Sequence, residues 1–119
     1  MMKIVVGGQV DKQKIAKKIK EIAGDQVEVE IMDDIKAANT IKQGKADYYF
    51  GACHTGGGGA LGMAMAILSS TKCATISMPA KPPKEEKIVE ELEAGKVAFG
   101  FTSDHLEKAV TLLLKNILN

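Results

Sequence analysis

Short apolar runs alternate from end to end of this chain with charged stretches whose apolar residues recur at helical spacing. Lys3-Ile4-Val5-Val6, closed by Gly7-Gly8, reads as a strand buried on both faces. Asp11 then reads as a helix N-cap, with Ile15, Ala16, Ile19, Ile22 and Ala23 in helical phase up to Gly24. Val27-Glu28-Val29-Glu30-Ile31 alternates apolar and acidic positions, as an edge strand does, and its glutamates discourage edge-to-edge pairing. Asp33 or Asp34 caps a second helix, with Ile35, Ala38 and Ile41 inward and Gly44 at its stop. Asp47-Tyr48-Tyr49-Phe50-Gly51 is a third strand, and Cys73-Ala74-Thr75-Ile76-Ser77 a fourth. Between them lie a glycine-rich loop and the apolar helix Met63-Ala64-Met65-Ala66-Ile67-Leu68. Met78-Pro79-Ala80-Lys81-Pro82-Pro83 is a stiff loop whose prolines pre-set a helix carrying Ile88, Val89 and Leu92. Lys96-Val97-Ala98-Phe99-Gly100-Phe101 is a fifth strand. Thr102-Ser103-Asp104 opens a last helix with Leu106, Val110, Leu113, Leu114 and Ile117 inward.

Five strands alternating with five helices predict right-handed crossovers and a parallel sheet covered on both faces. The fold class is α/β: a three-layer α/β/α sandwich, one Rossmann- or flavodoxin-like domain over residues 1–119. With strands numbered in chain order, 2-1-3-4-5 is the favoured arrangement and 3-2-1-4-5 the alternative. Ligands of such sheets sit beyond the carboxyl ends of the strands, where the strand order reverses. In the favoured order that point lies between the first and third strands. Gly7-Gly8-Gln9 and the loop 53–59 then share one crevice.

Composition narrows the function classes. The chain carries 16 basic and 15 acidic residues, a balance that gives no reason to expect nucleic acid or a membrane surface. It has two Tyr, three Phe and no Trp, too few rings for base stacking. The longest apolar run, 60–68, falls short of the ~20 residues a membrane helix needs. Met1-Met2-Lys3 leads straight into a strand with no room for a signal peptide, so a cytoplasmic location is expected. Cys53 and Cys73 fall at opposite edges of a parallel sheet, too far apart for a disulfide. They lack the spacing of a zinc site, and no metal or cofactor is expected.

The chemistry concentrates in Gly51-Ala52-Cys53-His54-Thr55-Gly56-Gly57-Gly58-Gly59-Ala60-Leu61-Gly62. Four consecutive glycines at the mouth of a helix suit a loop whose amides face an anion. Thr55 adds a hydroxyl and Lys81 a charge. Candidate ligand-binding residues are therefore Gly8, Gln9, Thr55, Gly56, Gly57, Gly58, Gly59 and Lys81, and candidate catalytic residues are Cys53 and His54. Packing competes with this reading: glycines also let a helix lie tight on a sheet, and Gly62 fits that role. Cys53 is open between an inert buried thiol and a base activated by His54 and the helix terminus. Asp33, Thr102, Ser103, Asp104 and His105 share the same edge, where a helix cap and surface positions account for the last four. Gly57-Gly58-Gly59-Ala60-Leu61-Gly62 matches GxGxxG but follows the third strand and lacks a ribose-binding acid, which argues against a dinucleotide. No Gly-Lys-Ser/Thr ending is present for a nucleotide-hydrolysing loop. The helix in 60–70 has almost no polar surface, so a homo-oligomer, a dimer through that helix, is expected.

Met2-Lys3-Ile4-Val5-Val6-Gly7-Gly8-Gln9, Ala46-Asp47-Tyr48-Tyr49-Phe50-Gly51-Ala52-Cys53-His54-Thr55-Gly56 and Gly95-Lys96-Val97-Ala98-Phe99-Gly100-Phe101 resemble the YhfU-type family of small bacterial proteins. The likeness spans essentially the whole chain; it implies the fold and a bacterial cytosol but no activity. Locally, Cys53-His54-Thr55-Gly56-Gly57-Gly58 is similar to the Cys-Gly-Thr-Gly-x-Gly loop of type B ribose-5-phosphate isomerases. That resemblance implies Cys53 as a proton-transfer base, with Thr55 and the amides of Gly56 to Gly59 stabilising an enediolate. His54 replaces a glycine of that pattern, and Gly8-Gln9-Val10 stands where the isomerases carry an Asp-His pair. The ring-opening acid/base is then missing unless His54 or His105 supplies it. The phosphocysteine carriers of sugar phosphotransferase systems are a weaker analogy, because their cysteine follows the first strand. Three functions are thus open: a binder of a small anionic, phosphorylated, sugar-like metabolite; an aldose–ketose isomerase-like enzyme using Cys53; and an accessory or regulatory subunit that docks on a protein partner.

Overall fold

The computed structural model describes residues 1–54 and 60–119. Its strands are β1 (Met2–Gly8), β2 (Val27–Ile31), β3 (Tyr48–Cys53), β4 (Cys73–Thr75) and β5 (Ala98–Thr102). Its helices are α1 (Lys12–Ala23), α2 (Asp34–Lys42), α3 (Gly62–Leu68), α4 (Glu85–Glu93) and α5 (Leu106–Ile117). All strand pairs are parallel, and the sheet order is β2-β1-β3-β5-β4. The α/β class expected from the alternation is the one observed.

The last two places of the expected order 2-1-3-4-5 are exchanged. Every residue of β5 is buried, and it pairs with β3 from Tyr49↔Ala98 to Cys53↔Thr102. An apolar run of that kind needs neighbours on both edges as well as both faces. β4 has only three residues, leaves Thr75 exposed and pairs with β5 alone. Ile76 and Ser77, expected as the end of this strand, lie beyond it. A short strand with Pro79, which cannot donate to a ladder, four residues past its last residue suits the rim. The reversal of strand order still lies between β1 and β3.

Helices α1, α4 and α5 cover one face, where Ile15, Ile19, Ile88 and Leu113 bury against Ile4, Val6, Phe50, Phe99 and Phe101. Phe50 meets Phe99 and Phe101 edge-on, with centroids 6.4 and 6.5 Å apart. Helices α2 and α3 cover the other face, with Ala37, Ala38 and Ala64 packed among Val5, Tyr49, Cys53, Ala60 and Leu61. Two helices leave the outer strand of that face open, which accounts for the alternation in β2. Its Glu28 and Glu30 stay in solvent, 3.5 and 2.9 Å from Lys3 Nζ.

Local signals were met unevenly. Asp33 caps α2 by accepting the Lys36 N–H at 2.8 Å. Asp11 precedes α1 in the left-handed region (φ 58°) and makes no side-chain cap, its carboxylate lying instead 3.8 Å from Lys14 Nζ. Ile35, expected inward, is 52% exposed. It lies ~200° around the helix from Ala37, whose side faces the sheet. α3 buries only Ala64 within its span, and Met63 and Met65 are exposed. Among the described residues no helix is long and apolar enough to cross a membrane.

Candidate functional site

The carboxyl ends of β1, β3 and β5 converge through a row of residues without side chains. Gly7, Gly51 and Gly100 are register neighbours across the three strands. A Cβ at Gly7 would come within 2.7 Å of the Tyr49 ring, at Gly51 within 3.0 Å of Ala60 O, and at Gly100 within 2.7 Å of Leu61 Cγ. The row is the floor on which the Tyr49 ring and the Ala60–Leu61 turn lie. These strand glycines serve close packing.

Gly8 serves a turn. Its φ is +81°, and a Cβ there would sit 2.7 Å from Ala52 N. The turn carries the chain over the end of β3, where Gln9 N and Val10 N both reach Ala52 O, at 3.0 and 3.4 Å. Gln9 itself is exposed beside that edge. The Gly8 N–H is taken inside the protein: it donates to Tyr49 Oη at 3.0 Å, and Tyr49 donates in turn to Ala60 O at 3.0 Å. The buried phenol therefore clamps the end of β1 to the start of the turn into α3. Burial, and after it the charge of Asp34, pushes the Tyr49 hydroxyl far above its ordinary range.

Cys53 ends β3 as a buried thiol, 3% exposed, on the α2–α3 side of the sheet. Cys73 lies at the opposite end of β5, beside Ala98 rather than Thr102. Burial raises the Cys73 thiol. His54 follows Cys53 and is exposed, its Nδ1 3.2 Å from Ser103 Oγ. This bond joins the ends of β3 and β5. Behind it, the buried Thr102 N–H donates to Ser77 Oγ at 2.9 Å, and the two hydroxyls lie 3.2 Å apart. Ser103, Asp104 and His105 form a 3₁₀ turn before α5, with His105 Nε2 3.3 Å from Asp104 Oδ2.

Of the residues expected at the crevice, Gly8, Gln9, Cys53 and His54 come together at this edge, and Ser103 joins them. Thr55, Gly56, Gly57, Gly58 and Gly59 lie outside the described residues. Lys81 is elsewhere. It lies past the rim strand β4, exchanging backbone bonds with Met78 at 2.9 and 3.1 Å, and β5 stands between it and β3.

One carboxylate at this edge escaped the sequence reading. Asp34, second of the Asp33-Asp34 pair, is half-buried with the Gly8 amide against it and Lys12 nearby. Burial raises its pKa, opposed by Lys12 and by the Gly8 amide. The signal was the doublet itself, since one aspartate suffices to cap a helix and the other is left over. Tyr49 carried a similar signal, because a phenol inside an apolar strand needs a buried partner.

Residues 2–117 match the family described as protein of unknown function DUF2620. The uncharacterized YhfU proteins of Escherichia coli strain K12 and of Shigella flexneri are each 40% identical over 117 residues. The match covers 98% of this chain and 99% of theirs.

Proposed function

This chain belongs to DUF2620, a family of proteins of unknown function, and from that premise we propose that it is a bacterial cytoplasmic protein binding a small anionic metabolite. The favoured class is phosphorylated and sugar-like, held where β1 and β3 end. One observation supports the reading: donors and acceptors from three strand ends gather at the reversal of strand order, with His54 bonded to Ser103 and Gln9 turned over Ala52. The glycine loop adds amides on sequence grounds alone.

Thermal unfolding with inorganic phosphate, ribose 5-phosphate and other small anions tests it. Ligand at a hundred times its Kd stabilises the folded state by ~2.7 kcal/mol. In a domain of this size that is a rise of about 10 °C. His54→Ala is expected to reduce the rise, and a flat response across the panel refutes the reading. Given a ligand, solvent hydrogen exchange into it, abolished by Cys53→Ser, separates an isomerase-like enzyme from a binder. Docking on a second copy through α3 is favoured by its exposed Met63 and Met65, and sedimentation reads it directly.

A further inference from the structure

We propose that the α2–α3 face docks on a second copy of this chain in an antiparallel, two-fold arrangement, the start of each helix pair seated on the end of the other. This rests on the second-copy reading above and names its surface and orientation.

Both helices return across one face of a parallel sheet, so both run from its carboxyl edge to its amino edge. The two ends of the pair differ in shape. At the start, Ile35 and Met63, the second residues of α2 and α3, are 52% and 39% exposed and line one cleft. At the finish, the half-buried Ile41, Ile67, Leu68 and Val97 line a groove of about 480 Å³. Projecting apolar side chains and an apolar groove at opposite ends cannot meet within one chain. A two-fold axis through the middle of the face brings them together twice, because in an isologous contact residue i meets j and j meets i. The helix between them needs such a cover. α3 carries no charged residue and buries only Ala64 in its own chain, and a helix apolar all round calls for burial on more than one side.

Charge sets the direction. Asp33 and Asp34 stand at the start of α2, Lys42 is its last residue, and Lys45 and Lys72 lie just beyond the ends of α2 and α3. Lys42 and Lys72 are on the rim of the groove. None of these three lysines has an ion-pair partner among the described residues. Antiparallel docking sets them against the aspartates of the second copy, whereas start on start sets aspartate on aspartate and lysine on lysine. The remaining charges nearby are turned elsewhere. Lys12 donates to Met32 O at 3.0 Å, and Asp47 accepts the Lys3 N–H at 2.8 Å. Lys36 lies ~160° around α2 from Ala38, while Ile35, Ile41 and Lys42 lie within ~60° of it, on the side of α3.

Sedimentation tests the association and cross-linking tests its direction. Wild type is expected to be a dimer at micromolar concentration. Ile35→Asp puts a carboxylate opposite the groove, and Lys42→Glu reverses the charge of its rim. Each is expected to weaken the dimer at least about tenfold. Both change exposed side chains, so both are expected to keep the wild-type circular dichroism. An equal mixture of Ile35→Cys and Lys42→Cys, treated with a short bismaleimide, is expected to yield a product joining one chain of each. Ile35→Cys alone is expected to yield none, and neither is wild type, whose Cys53 and Cys73 are buried. Monomeric wild type overturns the second-copy reading together with this one and turns the face over to a different protein partner. A dimer that ignores Ile35→Asp and Lys42→Glu, gives no mixed product, or joins Ile35→Cys to itself overturns the surface and orientation proposed here and leaves the second-copy reading standing.

Discussion

Tyr49→Phe isolates the clamp between β1 and the turn into α3. The substitution keeps the ring, which fills the space over Gly7, and removes only the oxygen that accepts from Gly8 N–H and donates to Ala60 O, both at 3.0 Å. Tyr49 is fully buried and Ala60 is 5% exposed, so water does not readily replace the lost partner. An orphaned buried group costs about 1–3 kcal/mol. Two orphans would double that, but the Gly8 amide also has the Asp34 carboxylate against it. The net cost is then that of the Ala60 carbonyl, about 2 kcal/mol. At roughly 4 °C per kcal/mol for a domain near this size, the melting temperature falls by about 8 °C. Urea unfolding is expected to show a lower midpoint with an unchanged m-value. The same substitution made on Asp34→Ala, where Gly8 loses both acceptors, is expected to cost about 1 kcal/mol more. A loss below about 0.5 kcal/mol in the single variant refutes the clamp. Additivity in the double variant refutes the sharing of Gly8.

Two further outcomes follow from the same edge. Because burial holds Asp34 above its ordinary value of 3.8, folding disfavours its ionised form, and the penalty is absent below the unfolded pKa and complete above the folded one. The stability advantage of Asp34→Asn over wild type is therefore expected to shrink as pH falls from 7 toward 3 in parallel urea titrations; an advantage that widens on acidification contradicts the assignment. Ser77→Ala removes the acceptor of the buried Thr102 N–H and is expected to cost about 1–3 kcal/mol by urea unfolding. Ser77→Thr, which keeps a hydroxyl, is expected to recover part of that loss. A neutral Ser77→Ala means that hydrogen bond does not hold the end of β5.

What could be read in advance divides along a physical line. Periodicity records which residues face an apolar layer, so the alternation of strands and helices and the edge position of β2 were legible from its Val-Glu-Val-Glu-Ile pattern. Order among the remaining strands depends on pairing partners, which periodicity does not record. The clue lay in contrast: Ala98-Phe99-Gly100-Phe101-Thr102 is buried throughout, while β4 stops after three residues. That exchange also moved Lys81, whose expected place at the crevice depended on β4 adjoining β3.

The glycines show why the candidate site was only half legible. A glycine in a sequence signals that a Cβ is unwelcome, but not whether the obstacle is a ligand, a turn or a neighbouring side chain. At Gly8 it is a positive φ and the backbone of Ala52; at Gly7 and Gly100 it is Tyr49 and Leu61. The glycine at position 8 is thus accounted for by its turn, which sets Gln9 outward and directs its own amide inward to Tyr49. Asp34 was hidden because a carboxylate at a helix start already has a sufficient local explanation. Only the fold shows that Asp33 has taken that role and that its neighbour faces the end of β1.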